Sequence, residues 1–277
     1  MSGRAGTGGV VAALVGAALA GTAIAAPVPA LPHGARTHWV VEQPCELVTY
    51  LTFDPAGVDR QLPRTLRFIT VGELAAAGLP WATDYLAEHP AHGLWGISFL
   101  EIVRSGTFTI DGRAPGWPEN GAAALWCARV APKDAATQLG PGRPLLVLEF
   151  WIPDRRYAAF MRARGHYATY GDVRLWSSGA SWRGSVNVEG LSVLADATPT
   201  GPITGGSESA GSQAFFPPRS SAVKRVVRVA FAGHRVQECG GDSTWRIRGT
   251  HPLAGGVLLP PTTFQFGYQL VGGAFEW

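Results

Sequence analysis

Short runs of β-forming residues recur along this chain, each cut off by glycine or proline, and long amphipathic helical patterns do not alternate with them. Glu46–Phe53 (ELVTYLTF), Leu66–Val71, Leu94–Val103, Thr107–Ile110, Ala122–Val130 and Leu145–Ile152 all read as strands. So do Ser185–Leu194, Val223–Ala232, Trp245–Arg248 and Phe264–Val271. Strands at this density predict a mainly β protein with a minor α component: a single closed or double-sheet antiparallel β-barrel with a few short helices. The composition agrees, with 36 Gly, 21 Pro and 10 Trp in 277 residues and only 16% charged residues. One helix is expected between Gly72 and Leu86, although Gly78 and Pro80 interrupt it, and a short one after Pro153-Asp154, where Tyr157, Phe160 and Met161 have helical spacing. Thr107–Ile110 is expected to fold back on the Leu94–Val103 strand through Arg104-Ser105-Gly106.

The first thirty residues carry one early cation, Arg4, then a Gly/Ala/Val/Leu run, then Ala23-Ile24-Ala25 before Ala26-Pro27. That layout is a signal peptide's, and it predicts a secreted or cell-envelope protein whose domain starts at Trp39 and runs to the end of the chain. An uncleaved anchor, which would be the chain's only membrane contact, and a leader on a cytoplasmic enzyme are the alternatives. Gly6-Thr7-Gly8-Gly9 has no preceding strand and no acidic residue at the right distance, so it is not a dinucleotide loop. The net charge of +3 is spread along the chain, which argues against a nucleic-acid footprint. Cys45, Cys127 and Cys239 match no zinc pattern and read as small buried hydrophobes, with one disulfide as the alternative for an exported chain. His89 and His92 have a helical metal spacing, but Pro90 lies between them and no third ligand is near, so no metal and no cofactor are expected. A serine-hydrolase elbow is missing as well. Ala197–Ser212 has the composition of a loop or lid.

Chemistry concentrates between Leu145 and Trp176. A buried strand, a helical turn and Gly165 precede a polar and aromatic turn holding His166, Tyr167, Tyr170, Asp172, Arg174 and Trp176. Upstream, Glu101 is one acidic side chain in an otherwise apolar strand. Burial would raise its pKa and a nearby arginine would lower it, which makes it a usable acid or base.

The order of these segments resembles the acetoacetate decarboxylase-like superfamily. Glu46–Leu66 is similar to that family's opening strand, Asp-Pro turn and Leu-Pro close, Gly96–Glu101 to its Gly-x-x-aromatic-x-Glu strand, and Leu145–Arg174 to its strand, turn and catalytic elbow. Trp245–Trp277, with His251-Pro252 and Leu259-Pro260, is similar to its C-terminal segment. The resemblance implies a closed β-architecture, a homo-oligomer and a small-molecule carbonyl or carboxylate ligand. The elbow departs from the family at its centre: the pair of lysines, one of which forms a Schiff base, falls near Val173-Arg174, and neither is a lysine here. Lysine occurs only at Lys133, in a loop, and at Lys224, on a basic strand. A guanidinium cannot replace the amine, because it stays protonated.

The expected activity is therefore non-covalent acid/base chemistry of lyase, dehydratase or cyclase type on a small keto acid or polyketide-like carbonyl compound. Glu101, Arg174 and His166 are its candidate catalytic residues, and Tyr167, Tyr170, Asp172 and Trp176 its candidate substrate-binding residues. Arg174 is expected to point inward, with an ion pair to Glu101 or to Asp172 that only supports the barrel as the competing reading. An exported, non-catalytic binding protein for a small apolar ligand is the alternative function.

Overall fold

The computed structural model describes residues 37–42, 44–58, 62–104, 106–110, 121–133, 145–163, 168–205, 212–216, 225–232, 235–266 and 269–276. In chain order the elements begin with β1 (Thr37–Glu42), β2 (Cys45–Phe53) and β3 (Leu66–Phe68), followed by α1 (Val71–Ala76) and α2 (Pro80–Glu88). Then come β4 (Gly96–Arg104), β5 (Thr107–Ile110), β6 (Ala122–Pro132), β7 (Leu145–Ile152), α3 (Arg155–Ala163) and β8 (Thr169–Tyr170). A meander of β9 (Asp172–Ser178), β10 (Ser181–Val188) and β11 (Leu191–Ala197) precedes β12 (Thr204–Gly205), β13 (Ser212–Phe216), β14 (Arg225–Ala232) and β15 (Arg235–Glu238). The last are β16 (Thr244–Gly249), β17 (Val257–Phe266) and β18 (Gln269–Glu276). Among the described residues no helix is long and apolar enough to cross a membrane.

The expectation of a mainly β chain with short helices is met by two sheets. The larger runs β12-β15-β17-β2-β4-β6-β7-β13-β14-β18-β1-β5, with β3 and β8 attached at its side, and the smaller is β16-β11-β10-β9. Among the described residues this order is an open path, so the architecture is stated as two sheets, not as a closed barrel. Pairing is antiparallel except at β7, which runs parallel to both β8 and β13. The far end of the path is tied back to its middle. β1 pairs with β5 from Trp39↔Ile110 to Glu42↔Thr107, and β2 pairs with β4 from Cys45↔Arg104 to Phe53↔Gly96. The register does not change across the two junctions, so β1–β2 and β4–β5 act as one long two-stranded ribbon.

That ribbon corrects one expectation. β5 does not fold back on β4; it continues in the same direction and pairs with β1. Ser185–Leu194 is likewise not one strand, because Glu189-Gly190 forms a two-residue hairpin turn in which Gly190 has φ 73°. The expected final strand is two, β17 and β18, and the ladder of β17 with β2 shifts between Leu259 and Thr263. Pro260 and Pro261 lie there, and neither can donate to a ladder. The expected single helix is α1 and α2, parted at Gly78 (φ 82°) with Pro80 opening α2. A reciprocal cap starts α1: Glu73 N donates to Thr70 Oγ1 and Thr70 N donates to Glu73 Oε2 at 2.9 Å. Asp154 caps α3 by accepting from Arg156 N and Tyr157 N at 2.7 and 2.9 Å.

The main core lies between the two sheets. Leu47, Leu51, Leu100, Ile102, Trp126 and Leu148 from the larger sheet meet Val173, Leu175, Val186 and Val193 from the smaller. Trp126 is fully buried, and its Nε1 donates to Ser98 Oγ at 3.0 Å. All three cysteines are free and buried within the structure, so they are small hydrophobes and the disulfide alternative is set aside. On the opposite face of the larger sheet α1 and α2 cover one cluster, with Leu74, Trp81 and Tyr85, and α3 covers another, with Ala158 and Met161.

The sheets approach closely at Gly184 of β10, where an added Cβ would sit 2.7 Å from Ile102 Cδ1. Gly184→Val is therefore expected to lower stability by about 1–3 kcal/mol through overpacking. Chemical denaturation checks it, and an unchanged midpoint would mean that the sheets are not held at this spacing.

Candidate functional site

A strand sends successive side chains to opposite faces, so the register of β2, β4 and β6 fixes what lies beside what. One face carries the core just described. The other carries Glu46, Val48 and Tyr50 from β2, Phe99 and Glu101 from β4, and Leu125, Cys127 and Arg129 from β6, with Val48 opposite Glu101, Glu101 opposite Leu125, and Phe99 opposite Cys127. On the core face Leu100, Ile102, Trp126 and Ala128 are all 0% exposed. On this second face Phe99, Glu101, Leu125 and Arg129 keep part of their surface accessible. Both charged groups are nevertheless enclosed by protein. We take this enclosed yet partly accessible face as the candidate binding cleft. The helices flank it, and α2 is fixed to the sheet where Thr52 Oγ1 meets Tyr85 OH at 2.6 Å.

The cleft is strongly polarised. Glu46 lies opposite Val103 and Glu101 opposite Val48, so the two carboxyls are diagonal neighbours on this face. Ionising one disfavours ionising the other. Burial is the main cause that raises both: Glu46 lies well above the ordinary carboxyl range, pushed further by the neighbouring Glu101, and Glu101 titrates at about 7. Of the two, Glu46 is pushed up further, and Glu101 is the one that ionises more readily. Farther along the face lies Arg129, its guanidinium 5.8 Å from the centre of the Phe99 ring. Among the described residues no carboxylate pairs with it, and burial pulls its pKa down. Tyr50 and Cys127 lie within the fields of both Arg129 and the carboxyl pair, and burial raises each of them.

Of the expected site residues, the structure places Glu101 in this cleft. Arg174 lies elsewhere. In β9 its neighbours Val173 and Leu175 point into the core, so strand alternation turns Arg174 outward, where its side chain is 69% exposed and bonds Asp172 through Nε at 3.0 Å and Nη2 at 3.2 Å. The inward orientation and the Arg174–Glu101 partnership are corrected in favour of the Arg174–Asp172 pair. Tyr170 is 45% exposed beneath the Arg155 guanidinium, 4.0 Å from its ring centre, and Trp176 is 38% exposed. His166 and Tyr167 lie outside the described residues, as does Lys224. Lys133 is exposed at the end of β6. The His92 ring stacks on Trp95 at 3.5 Å, and its Nδ1 lies 2.7 Å from Tyr85 OH.

Glu46, Tyr50 and Arg129 were not singled out by sequence reasoning. Their signal was a charged residue inside an otherwise apolar strand, the same signal that marked Glu101. It shows in Arg129 of Ala122–Val130 and, at the strand's start, in Glu46. A second buried polar pair sits on the core face. His251 Nε2 is 3.8 Å from Glu149 Oε1 beside Trp126 and Trp151, while His251 Nδ1 accepts from Leu253 N. The pair ties β7 to the turn at Pro252–Gly255.

No family model matches the sequence, and no curated protein matches it either. Solved structures do match. An acetoacetate decarboxylase superposes with a TM-score of 0.56 at 10% identity, over 92% of this chain and 95% of its own. An acetoacetate decarboxylase-like enzyme from Sphingomonas wittichii gives 0.53 at 14% identity, over 93% of this chain and 99% of its own. An enduracididine biosynthesis enzyme complexed with pyruvate gives 0.54 at 10% identity, over 89% and 91%. The chain has the acetoacetate decarboxylase-like fold. Within this decarboxylase-like fold the described cleft offers two carboxyls, a guanidinium and a phenol, and no amine.

The carboxyl pair makes stability pH-dependent in a definite direction. The folded state holds a proton at Glu101 that the unfolded chain releases near the ordinary value of 4.5, so this contribution is full below that value and is lost as pH rises through about 7. Glu101→Gln removes the titration. Its melting temperature relative to the parent is expected to climb across that window, and a constant difference would show that Glu101 titrates as an ordinary surface carboxyl.

Proposed function

We propose that the cleft binds a keto acid and moves a proton at the carbon beside its carbonyl, without a covalent intermediate. The observation that carries this reading is the placement, on one face of one cleft, of two neighbouring carboxyls and a guanidinium that has no carboxylate partner among the described residues. Arg129 would hold the substrate carboxylate, for which its fork of donors is matched. Glu101, as the base, would take the proton from the α-carbon. The electron pair left behind moves onto the carbonyl oxygen, which Tyr50 or the protonated Glu46 stabilises as a hydrogen-bond donor. The fold shared with decarboxylase-like enzymes supports carbonyl chemistry in this setting. The lack of a lysine in the described cleft supports proton transfer over imine formation.

We also infer that the larger sheet rolls into a barrel around this cleft. The continuous β1–β2 and β4–β5 ribbon supports it, because β1 joins β18 while β4 joins β6, and the path β6-β7-β13-β14-β18 then returns to the strand where it started. Enclosure in this way would exclude bulk water and strengthen each electrostatic interaction inside. The second reading is a binding protein that holds its ligand unchanged, which the aromatic and apolar wall of Phe99, Tyr50 and Leu125 favours.

Exchange in deuterated water separates the two. Under the enzyme reading, the protein accelerates deuterium incorporation at the α-carbon of a keto acid, followed by NMR, and Glu101→Gln slows it by about a hundredfold or more. Saturable binding with no exchange would leave the binding-protein reading. A borohydride-trapped adduct would contradict the non-covalent mechanism.

A further inference from the structure

The two charged ends of the cleft are kept apart, and their separation limits what can bridge them. Glu101 lies opposite Leu125, and Arg129 is four residues beyond Leu125 on the same strand, a backbone offset of about 13 Å; the guanidinium reaches back over Phe99, whose own position is about 7 Å along the strand from Glu101. The guanidinium lies over Phe99, which sits between the two ends together with its cross-strand neighbour Cys127. Opposite charges within reach would have paired. Here the carboxyls neighbour each other, and Arg129 has no carboxylate partner among the described residues. The row between them is Phe99 and Cys127, which offer apolar surface, with Tyr50 as a polar break; Val48 and Leu125 flank Glu101 itself.

Resting on the acid/base reading of this cleft, we infer that its substrate is an extended oxo acid in which methylene groups separate the carboxylate from the reacting carbonyl, and not a β-keto acid. The carboxylate would take the unpaired guanidinium, the methylenes would lie along Phe99 and Leu125, and the carbonyl would reach the carboxyl pair. A β-keto acid has a single methylene between its two functions. Seated on Arg129, it leaves the carboxyl pair unengaged; seated on the pair, it leaves a buried guanidinium unsatisfied and brings its own carboxylate beside two acidic side chains.

The test is calorimetric titration of the full-length protein with acetoacetate, levulinate and the next two straight-chain methyl-ketone homologues of levulinate, each beside the neutral ketone of equal length. Affinity is expected to rise along the acids, with the best homologue at least about tenfold tighter than acetoacetate and than its own neutral ketone. Arg129→Met should erase the advantage of acid over ketone, and circular dichroism with a melting curve verifies that this variant is folded. If Arg129→Met does not fold, Arg129→Gln carries the same expectation. Acetoacetate binding as tightly as any homologue, or keto-acid affinity unaffected by the loss of Arg129, would overturn the inference. If acetoacetate binds best and deuterium exchange persists, the acid/base reading survives and only the substrate length is wrong; if no keto acid binds, both fall.

Discussion

Strand alternation in the ribbon of β1–β2 and β4–β5 divides the larger sheet into two faces with opposite tasks. One face sends Leu47, Leu51, Leu100 and Ile102 against the smaller sheet, and burial of that kind supplies most of the favourable free energy of folding. The other collects Glu46, Tyr50, Phe99 and Glu101, and β6 adds Cys127 and Arg129 at the matching register. A slip of one residue would exchange the faces and place two glutamates in the core. The register that stabilises the fold is thus the register that assembles the cleft.

Inside the cleft, desolvation decides the chemistry. Two carboxyls and a guanidinium would be ordinary ions at the surface, but enclosure makes each charge costly, and the structure meets that cost differently at the two ends. The carboxyls are pushed toward their protonated forms. The guanidinium leans on an aromatic face and has no carboxylate partner among the described residues. A group held neutral and ready to give or take a proton, beside a cation that needs a partner, is a more specific arrangement than either alone. The fold is shared with acetoacetate decarboxylase, and among the described residues this face carries carboxyls and a guanidinium.

The β-rich class, most strand positions and Glu101 were legible in the sequence, because apolar runs and alternation are local signals. What escaped was mostly long-range. Nothing local distinguishes a β5 that folds back on β4 from one that continues past it; that depends on β1, some seventy residues earlier. Arg174 drew attention because it follows an aromatic turn, yet Val173 and Leu175 are its apolar neighbours, and alternation read strictly would have turned it outward. Glu46 and Arg129 became meaningful only through cross-strand register, since Glu46 lies on the same face as Glu101 two strand positions along. His166 and Tyr167 fall outside the described residues, so the elbow that first suggested a site contributes Asp172 and Arg174 as a surface pair.

Infrared spectroscopy of the protein in water held at about pH 7, where ordinary glutamates are ionised, bears most directly on the carboxyl pair. The account requires a carbonyl-stretch band from a protonated carboxylic acid at that pH, and requires that changing both residues, Glu46→Gln with Glu101→Gln, remove it. A spectrum showing only ionised carboxylates, or an acid band that survives the loss of both Glu46 and Glu101, would contradict the protonated carboxyl pair on which the proposed chemistry stands.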